Sequence, residues 1–199
     1  MKKIIYLLVL AAAAISCSQS QTKNTTADSV VIDTSAAARE NSEKPKVDTN
    51  YIGKAGETNP SIMYIPAFEM VTVNGQKFTQ ADIKPNKPLM LVYFSPDCNH
   101  CTDFIAKLKP HLKELANVQI VLASWVKMQA VQQFYMQAGL GDYKNIIVGT
   151  EGNQNLQIQQ YFQVKETPYI ALYNRQGRLA WYYEKPPRAD HVIAKAKSL

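Results

Sequence analysis

Cysteine is scarce in this sequence, with only Cys17, Cys98 and Cys101 among 199 residues. No second cysteine pair accompanies Cys98 and Cys101, and His111 and His191 stand alone, so the four ligands of a structural zinc site are not available. We expect no metal and no cofactor. A disulfide between Cys98 and Cys101 would close almost no loop and restrict the unfolded chain little. We therefore expect this pair to be reactive rather than structural.

Strong charge is also lacking. The formal net charge of +6 falls to +4 without Lys2 and Lys3, because 20 basic residues then face 16 acidic ones. No long basic run with interleaved aromatic residues occurs, so we expect no nucleic-acid partner. The apolar run from Ile4 to Ile15 is too short to cross a bilayer comfortably.

The N-terminus is typical of an exported protein. Its two lysines and the apolar run match the charged start and apolar middle of a secretory signal. The run ends in Ala14-Ile15-Ser16-Cys17, which resembles a bacterial lipobox, although Leu is usual where Ala14 stands. In a lipobox the cysteine is acylated and becomes the first mature residue. We expect residues 1–17 to be a lipoprotein signal peptide and Cys17 to be lipidated. The alternative is ordinary secretion with an incidental thiol.

Residues 18–61 are predicted to be a flexible tether. They are rich in Ser, Thr, Asn, Lys, Glu and Ala, and only Val30-Val31-Ile32 interrupts this composition. Such a segment buries too little apolar area to offset its ordering entropy. Roughly 40 residues give a typical reach of about 35 Å. The tether would hold a domain at 62–199 clear of the membrane, on the periplasmic or exterior side of a bacterial cell envelope.

Strand and helix patterns alternate through this domain. Strands are predicted at 68–73 and 76–78 around an Asn74-Gly75 turn, and at 89–94, 118–123, 146–148, 169–173 and 179–183. Helices are predicted from Asn99, with a break at Pro110, and at 128–138, 153–161 and 188–198. This order predicts an α/β fold with a mixed central β-sheet flanked by helices and an N-terminal hairpin.

Cys98-Asn99-His100-Cys101 lies where the buried strand 89–94 gives way to a helix. A cysteine at a helix N-terminus faces unpaired backbone N–H groups and the positive end of the dipole, and both favour the thiolate. We expect Cys98 to be the nucleophile and the more buried Cys101 to resolve the mixed disulfide. His100 can lower the pKa of Cys98 by a hydrogen bond or by its charge, whereas Asp97 acts in the opposite direction.

The strand Leu89–Phe94, the cysteine pair and Glu166-Thr167-Pro168-Tyr169 before a later strand resemble the thioredoxin superfamily over roughly residues 62–198. The hairpin and the segment around 146–160 resemble its membrane-anchored TlpA-like branch. The resemblance implies a thioredoxin-like fold in which a cis Pro168 faces the cysteines. It also implies that the Thr167 backbone pairs with a substrate chain, and we expect Asn99 to lie at the same substrate-binding surface.

The resemblance implies a thiol–disulfide oxidoreductase. Its partners would be the thiols or disulfides of exported proteins and an upstream redox protein, and we expect a monomer. Two departures affect the mechanism, since Val92 stands where thioredoxins have a buried Asp and Phe104 where some TlpA-like reductases have Glu. The base for Cys101 is therefore not evident, and slow reductase turnover is expected. A His between the cysteines resembles strongly oxidising periplasmic thiol oxidases, so the direction of electron flow is open.

Three alternatives use the same residues. Cys98, Cys101 and His100 could hold Cu(I), because thiolates are soft ligands, but copper-chaperone relatives use a wider cysteine spacing and a distant His. A redox-inert module could bind partners with the same face. A peroxiredoxin needs a Pro where this chain has Leu91, although Ser95 fits its pattern.

Overall fold

The computed structural model describes residues 55–56 and 59–199. Its strands are β1 (Ala55–Gly56), β2 (Glu69–Thr72), β3 (Lys77–Thr79), β4 (Leu89–Tyr93), β5 (Gln119–Ser124), β6 (Ile146–Thr150), β7 (Tyr169–Tyr173) and β8 (Leu179–Tyr183). Its helices are α1 (Asn99–Leu108), α2 (Met128–Ala138), α3 (Gln157–Phe162) and α4 (Ala189–Lys197). Short 3-10 turns occur at Pro60–Ile62, Gln80–Asp82 and Lys109–His111.

The strands form one mixed sheet in the order β1-β8-β7-β4-β5-β6-β2-β3. Strand β4 pairs in parallel with β5 and antiparallel with β7, and every residue of these three strands is buried. Strands buried on both faces read as continuous apolar runs, which is why the sequence revealed them. The predicted α/β fold with a mixed central sheet and flanking helices is confirmed.

Alternate residues of β4 face two different cores. Met90 and Val92 pack in the core that includes α1, α2 and α4, whereas Leu91 and Tyr93 pack in the core that includes α3. This follows from the two-residue period of a strand. Helix α1 therefore lies on one face of the sheet, directly after the carboxyl end of the central strand.

The N-terminal hairpin is present and lies at one edge of the sheet. Strands β2 and β3 pair antiparallel around Asn74 and Gly75, whose φ of 76° suits a glycine. Strand β2 then pairs with β6, where a Cβ on Gly149 would come within 2.5 Å of the Val71 carbonyl oxygen. A residue without a side chain is needed at position 149 for this close approach.

The segment before β2 and the start of α3 differ from the sequence prediction by more than two residues. Ala55 and Gly56, inside the range assigned to the tether, pair with Tyr183 and Tyr182 of β8. A two-residue strand held by backbone pairing has no hydrophobic pattern that would reveal it. Helix α3 begins at Gln157 rather than 153, after a turn in which Gly152 has a φ of 70°.

The break predicted at Pro110 is present, since α1 stops at Leu108 and a 3-10 turn that contains Pro110 follows, but residues 112–117 form turns rather than a second helical segment. The expected signal peptide, with Cys17 as its lipidation site, lies outside the described residues. In the part of the chain that the structure describes, no helix is both long and apolar enough to cross a bilayer.

Candidate active site

Cys98 is the N-cap of α1. Its sulfur accepts a hydrogen bond from the backbone N–H of Cys101 at 3.4 Å, and its carbonyl accepts from Cys101 and Thr102 at 3.0 and 3.1 Å. The first N–H groups of a helix have no partner within the helix, so a side-chain acceptor at the N-cap satisfies one of them. The Cys98 sulfur therefore lies at the helix N-terminus, where negative charge is stabilised.

The loop before β7 lies beside this sulfur. The Thr167–Pro168 peptide bond is cis, and the Cys98 thiol donates a hydrogen bond to the Thr167 carbonyl oxygen at 3.2 Å. The sheet explains the contact, because Tyr93 at the end of β4 pairs with Tyr169 at the start of β7. The residues that end one strand and precede the other are thereby brought together across 69 positions of sequence.

The two thiols lie in different environments. Cys98 is partly exposed, whereas Cys101 is fully buried with 0% of its surface accessible. Burial acts to raise the pKa of Cys98, but hydrogen bonds from the Cys101 and Thr167 side chains and from the backbone of Cys101 and His100 outweigh it, and the net pKa is lowered. Burial, with the Cys98 side chain adding to it, raises the pKa of Cys101 to about 12.

The surroundings of Cys101 contain no evident base. Val92 and Phe104, which stand at the two positions where relatives place an acid, are 0% and 3% exposed and belong to the same apolar core as Cys101. The strongest influences on the pKa of Cys101 are burial, Cys98, Ser95 and Thr167, and none is a carboxylate. Within the described residues, the groups that act most strongly on the Cys101 thiol thus include hydrogen-bond partners but no carboxylate that could serve as its base.

Asn99 and His100 are exposed in the first turn of α1. The contribution of His100 to the lowered pKa of Cys98 comes from its backbone, not from its imidazole. The imidazole lines two cavities, one of about 440 Å³ that includes Thr167 and one of about 690 Å³ on the other side. The structure therefore places Cys98, Cys101 and Thr167 in contact, and His100 at the rim of the space beside them.

Sequence analysis missed a buried polar pair beneath the smaller cavity. The Tyr93 ring is fully buried and stacks on Trp125 with ring centroids 5.3 Å apart. Glu151 is 8% exposed, and its Oε1 accepts the backbone N–H of Ile158 at 2.8 Å near the start of α3. Burial raises the pKa of both Tyr93 and Glu151. The sequence signal that could have indicated this site is Glu151, an acidic residue that directly follows strand β6.

A metal site is not assembled by these residues. Among residues 55–56 and 59–199, no group of three His, Cys, Asp or Glu side chains lies close enough together to hold a metal ion. The Cu(I) ligand set of Cys98, His100 and Cys101 considered from sequence is therefore reduced to the two sulfurs.

Comparison with known families matches residues 76–197 to a model described as a thioredoxin-like domain. The chain belongs to this thioredoxin-like family. The match begins at the second strand of the hairpin and includes Cys98, Cys101 and the cis-proline loop. A search of the curated proteins finds no match.

Solved structures with the same fold come from several organisms. A secreted Mycobacterium tuberculosis disulfide oxidoreductase, homologous to E. coli DsbE, is 19% identical with a TM-score of 0.57, covering 66% of this chain and 96% of its own. The thioredoxin domain of a Bacteroides vulgatus thiol–disulfide oxidoreductase is 14% identical with a TM-score of 0.54, covering 68% and 94%. Copper-bound ScoI of Arabidopsis thaliana is 14% identical with a TM-score of 0.52, covering 67% and 98%. At these identities the likeness shows the thioredoxin-like fold.

The contrast between the two thiols predicts selective alkylation. In the reduced protein, iodoacetamide should modify Cys98 with a pH midpoint below the pKa of a free cysteine, while Cys101 stays unmodified because it is buried and protonated. Thr167→Val removes a hydroxyl that lowers the pKa of Cys98 and should move this midpoint to higher pH. Mass spectrometry of protein quenched across a pH series measures both effects. Thr102→Val is the matched control and should leave the midpoint in place; an equal shift in both variants would contradict the assignment to Thr167.

Proposed function

We propose that this chain is a thiol–disulfide oxidoreductase that exchanges disulfides with exported proteins through Cys98 and Cys101, as a monomer of the TlpA-like branch. The observation that supports this most directly is the pairing of one exposed, acidified thiol with one buried, protonated thiol beside the Thr167 carbonyl. A nucleophile must be accessible and ionised, and a resolving thiol must be held back until the mixed disulfide forms.

The exchange proceeds in two steps. The Cys98 thiolate attacks one sulfur of a partner disulfide, which forms a mixed disulfide and releases the partner's other sulfur as a thiolate. Cys101 then loses its proton and attacks the Cys98 sulfur, which releases the second partner thiolate and leaves a Cys98–Cys101 disulfide. Two electrons pass from the pair to the partner. The reverse sequence oxidises a dithiol partner, and the lowered pKa of Cys98 favours this direction because it stabilises the reduced pair.

The partner chain is held by the cis-proline loop in this proposal. The Thr167 carbonyl lies 3.2 Å from the Cys98 sulfur, so a backbone bound at Thr167 presents its cysteine to the nucleophile. Asn99 is exposed at the start of α1 and lies next to Cys98 in the chain. Thr167, Pro168 and Asn99 are therefore proposed to bind substrate, with Cys98 and Cys101 as the reacting groups.

Replacing each cysteine separately tests the order of the two steps. Cys98→Ser should lower exchange with a protein disulfide by at least about a thousandfold, because the nucleophile is lost. Cys101→Ser should form the mixed disulfide but fail to release it. Non-reducing gels of exporting cells that express Cys101→Ser should show adducts that collapse on reduction. Cys98→Ser is the control and should show no adducts. Equal adduct yields in the two variants would show that Cys98 is not the nucleophile.

The buried environment of Cys101 predicts the pH dependence of the second step. Burial, the main cause of its raised pKa, persists in the mixed disulfide, so the thiolate fraction of Cys101 should rise about tenfold per pH unit below its pKa. Resolution of a preformed mixed disulfide should therefore accelerate about tenfold per unit between pH 7 and 9, as followed by quenched-flow release of the partner. A rate that is flat over this range, or equal to that of thioredoxin, would show that a base acts on Cys101.

We further propose that the protein is exported and anchored by lipid at Cys17, so that its redox domain faces the periplasm or the exterior. Support comes from the lipobox-like Ala14-Ile15-Ser16-Cys17 at the end of the apolar run. Cys17→Ser should abolish incorporation of labelled palmitate and shift the protein from the membrane to the soluble envelope fraction. Cys98→Ser is the control and should keep both label and membrane association. Palmitate label that is retained in the Cys17→Ser variant would show that the lipid is attached to another residue.

Copper handling has less support than disulfide exchange. Among the described residues, no group of three His, Cys, Asp or Glu side chains lies close enough together to hold a metal ion, so His100 does not complete a three-ligand site with the two cysteines.

A further inference from the structure

A groove of about 690 Å³ runs between α1 and α4, with His100 among its lining residues. This volume lies within the range of about 300–1,000 Å³ that is typical of ligand pockets. His100 and Pro186 line both this groove and the cavity that includes Thr167, whose carbonyl oxygen lies 3.2 Å from the Cys98 sulfur, so the groove adjoins the cavity beside the reactive sulfur. It lies on the face of the sheet that packs α1 and α4, whereas Thr167 lines the separate cavity on the other side of His100.

Helix α1 forms one wall of the groove, and α4 with the residues before it forms the other. The lining residues of α1 are spaced by three, one and three positions, which places them on a single helix face: His100, Asp103, Phe104 and Lys107. The opposite wall consists of Ala189, His191, Ala194 and Lys195 of α4, Ser198 directly after it, and Pro186, Pro187 and Arg188 before it. Trp181 and Tyr183, two residues apart on β8, line the groove between the helices. The groove is thus built from three elements that the fold holds in fixed positions.

The lining is aromatic and positively charged. Lys107, Arg188 and Lys195 are cationic at neutral pH, whereas Asp103 is the one acidic residue among the groove-lining residues described. Arg188 also pairs with Asp190 at 2.7 Å, outside the lining. The Lys195 ammonium lies 4.4 Å from the centroid of the Trp181 ring, so its charge is held over the aromatic surface. A complementary ligand would combine an apolar side chain with a negative charge.

We propose that this groove docks an extended segment of the exported protein partner, in which an acidic and an apolar side chain lie close to the cysteine that reacts with Cys98. This rests on the proposed function and specifies its substrate class. A partner bonded to Cys98 is anchored beside Thr167, in the cavity that shares His100 and Pro186 with the groove, so the neighbouring partner residues extend from that cavity into the groove. The charged rim then accelerates association with acidic segments and slows it with basic ones.

Two cysteine peptides that differ only in charge test the proposal. One has Asp-Leu and the other Lys-Leu beside a cysteine activated as its 2-thiopyridyl disulfide. The full-length Cys101→Ser protein, in reduced form, should react with the Asp peptide about fivefold faster or more at low salt, measured by thiopyridone release. The difference should shrink at about 0.5 M salt, because screening weakens contacts between exposed charges.

Charge reversal in the groove should change this preference. Lys107→Glu should lower the Asp-to-Lys rate ratio about fivefold or more. Lys144→Glu reverses an exposed lysine outside the groove and should leave the ratio unchanged. Equal rates with both peptides, or equal effects of the two variants on the rate ratio, would contradict the proposal that the groove docks an acidic segment. Neither result would contradict disulfide exchange by Cys98. Failure of either peptide to react with Cys98 would instead overturn the proposed function.

Discussion

The antiparallel pairing of β4 with β7 is the contact on which the site depends. It aligns Tyr93 with Tyr169, so the residues that follow β4 and those that precede β7 meet at one end of the central sheet. The result is a Thr167 carbonyl 3.2 Å from the Cys98 sulfur. Because both strands are fully buried, any shift of register would move large apolar side chains to the wrong face, which makes the position of this loop robust.

This geometry explains why the pKa values of the Cys98 and Cys101 thiols shift in opposite directions. Cys98 caps α1 and gains hydrogen bonds that favour its thiolate, whereas one helical turn later Cys101 enters a core that penalises any charge. One helix turn is enough to separate these environments, because the N-terminus of α1 is at the surface and its inner face is not. The same helix supplies, on its outer face, one wall of the cationic groove that begins at His100.

Much of this arrangement was predictable from local patterns. The continuous apolar runs revealed the central strands, Asn74-Gly75 revealed the hairpin, and Pro110 marked a break in the cysteine helix. Other features had no local signal. Strand β1 is two residues held by backbone pairing, and α3 starts late because the chain turns at Gly152 and the Glu151 carboxylate binds the Ile158 N–H. The burial of Glu151 near Tyr93 depends on the packing of α3 against the sheet.

The sequence by itself determined the fold class, the strand-to-helix setting of Cys98 and Cys101, and the Thr167-Pro168 segment, since periodicity and residue type are local properties of the chain. Only the tertiary structure decided that Thr167 touches Cys98, that Cys101 is buried in an apolar core, and that α1, α4 and β8 line a cationic groove. Those features are distances and burial between segments far apart in sequence, and such quantities exist only once the chain has packed.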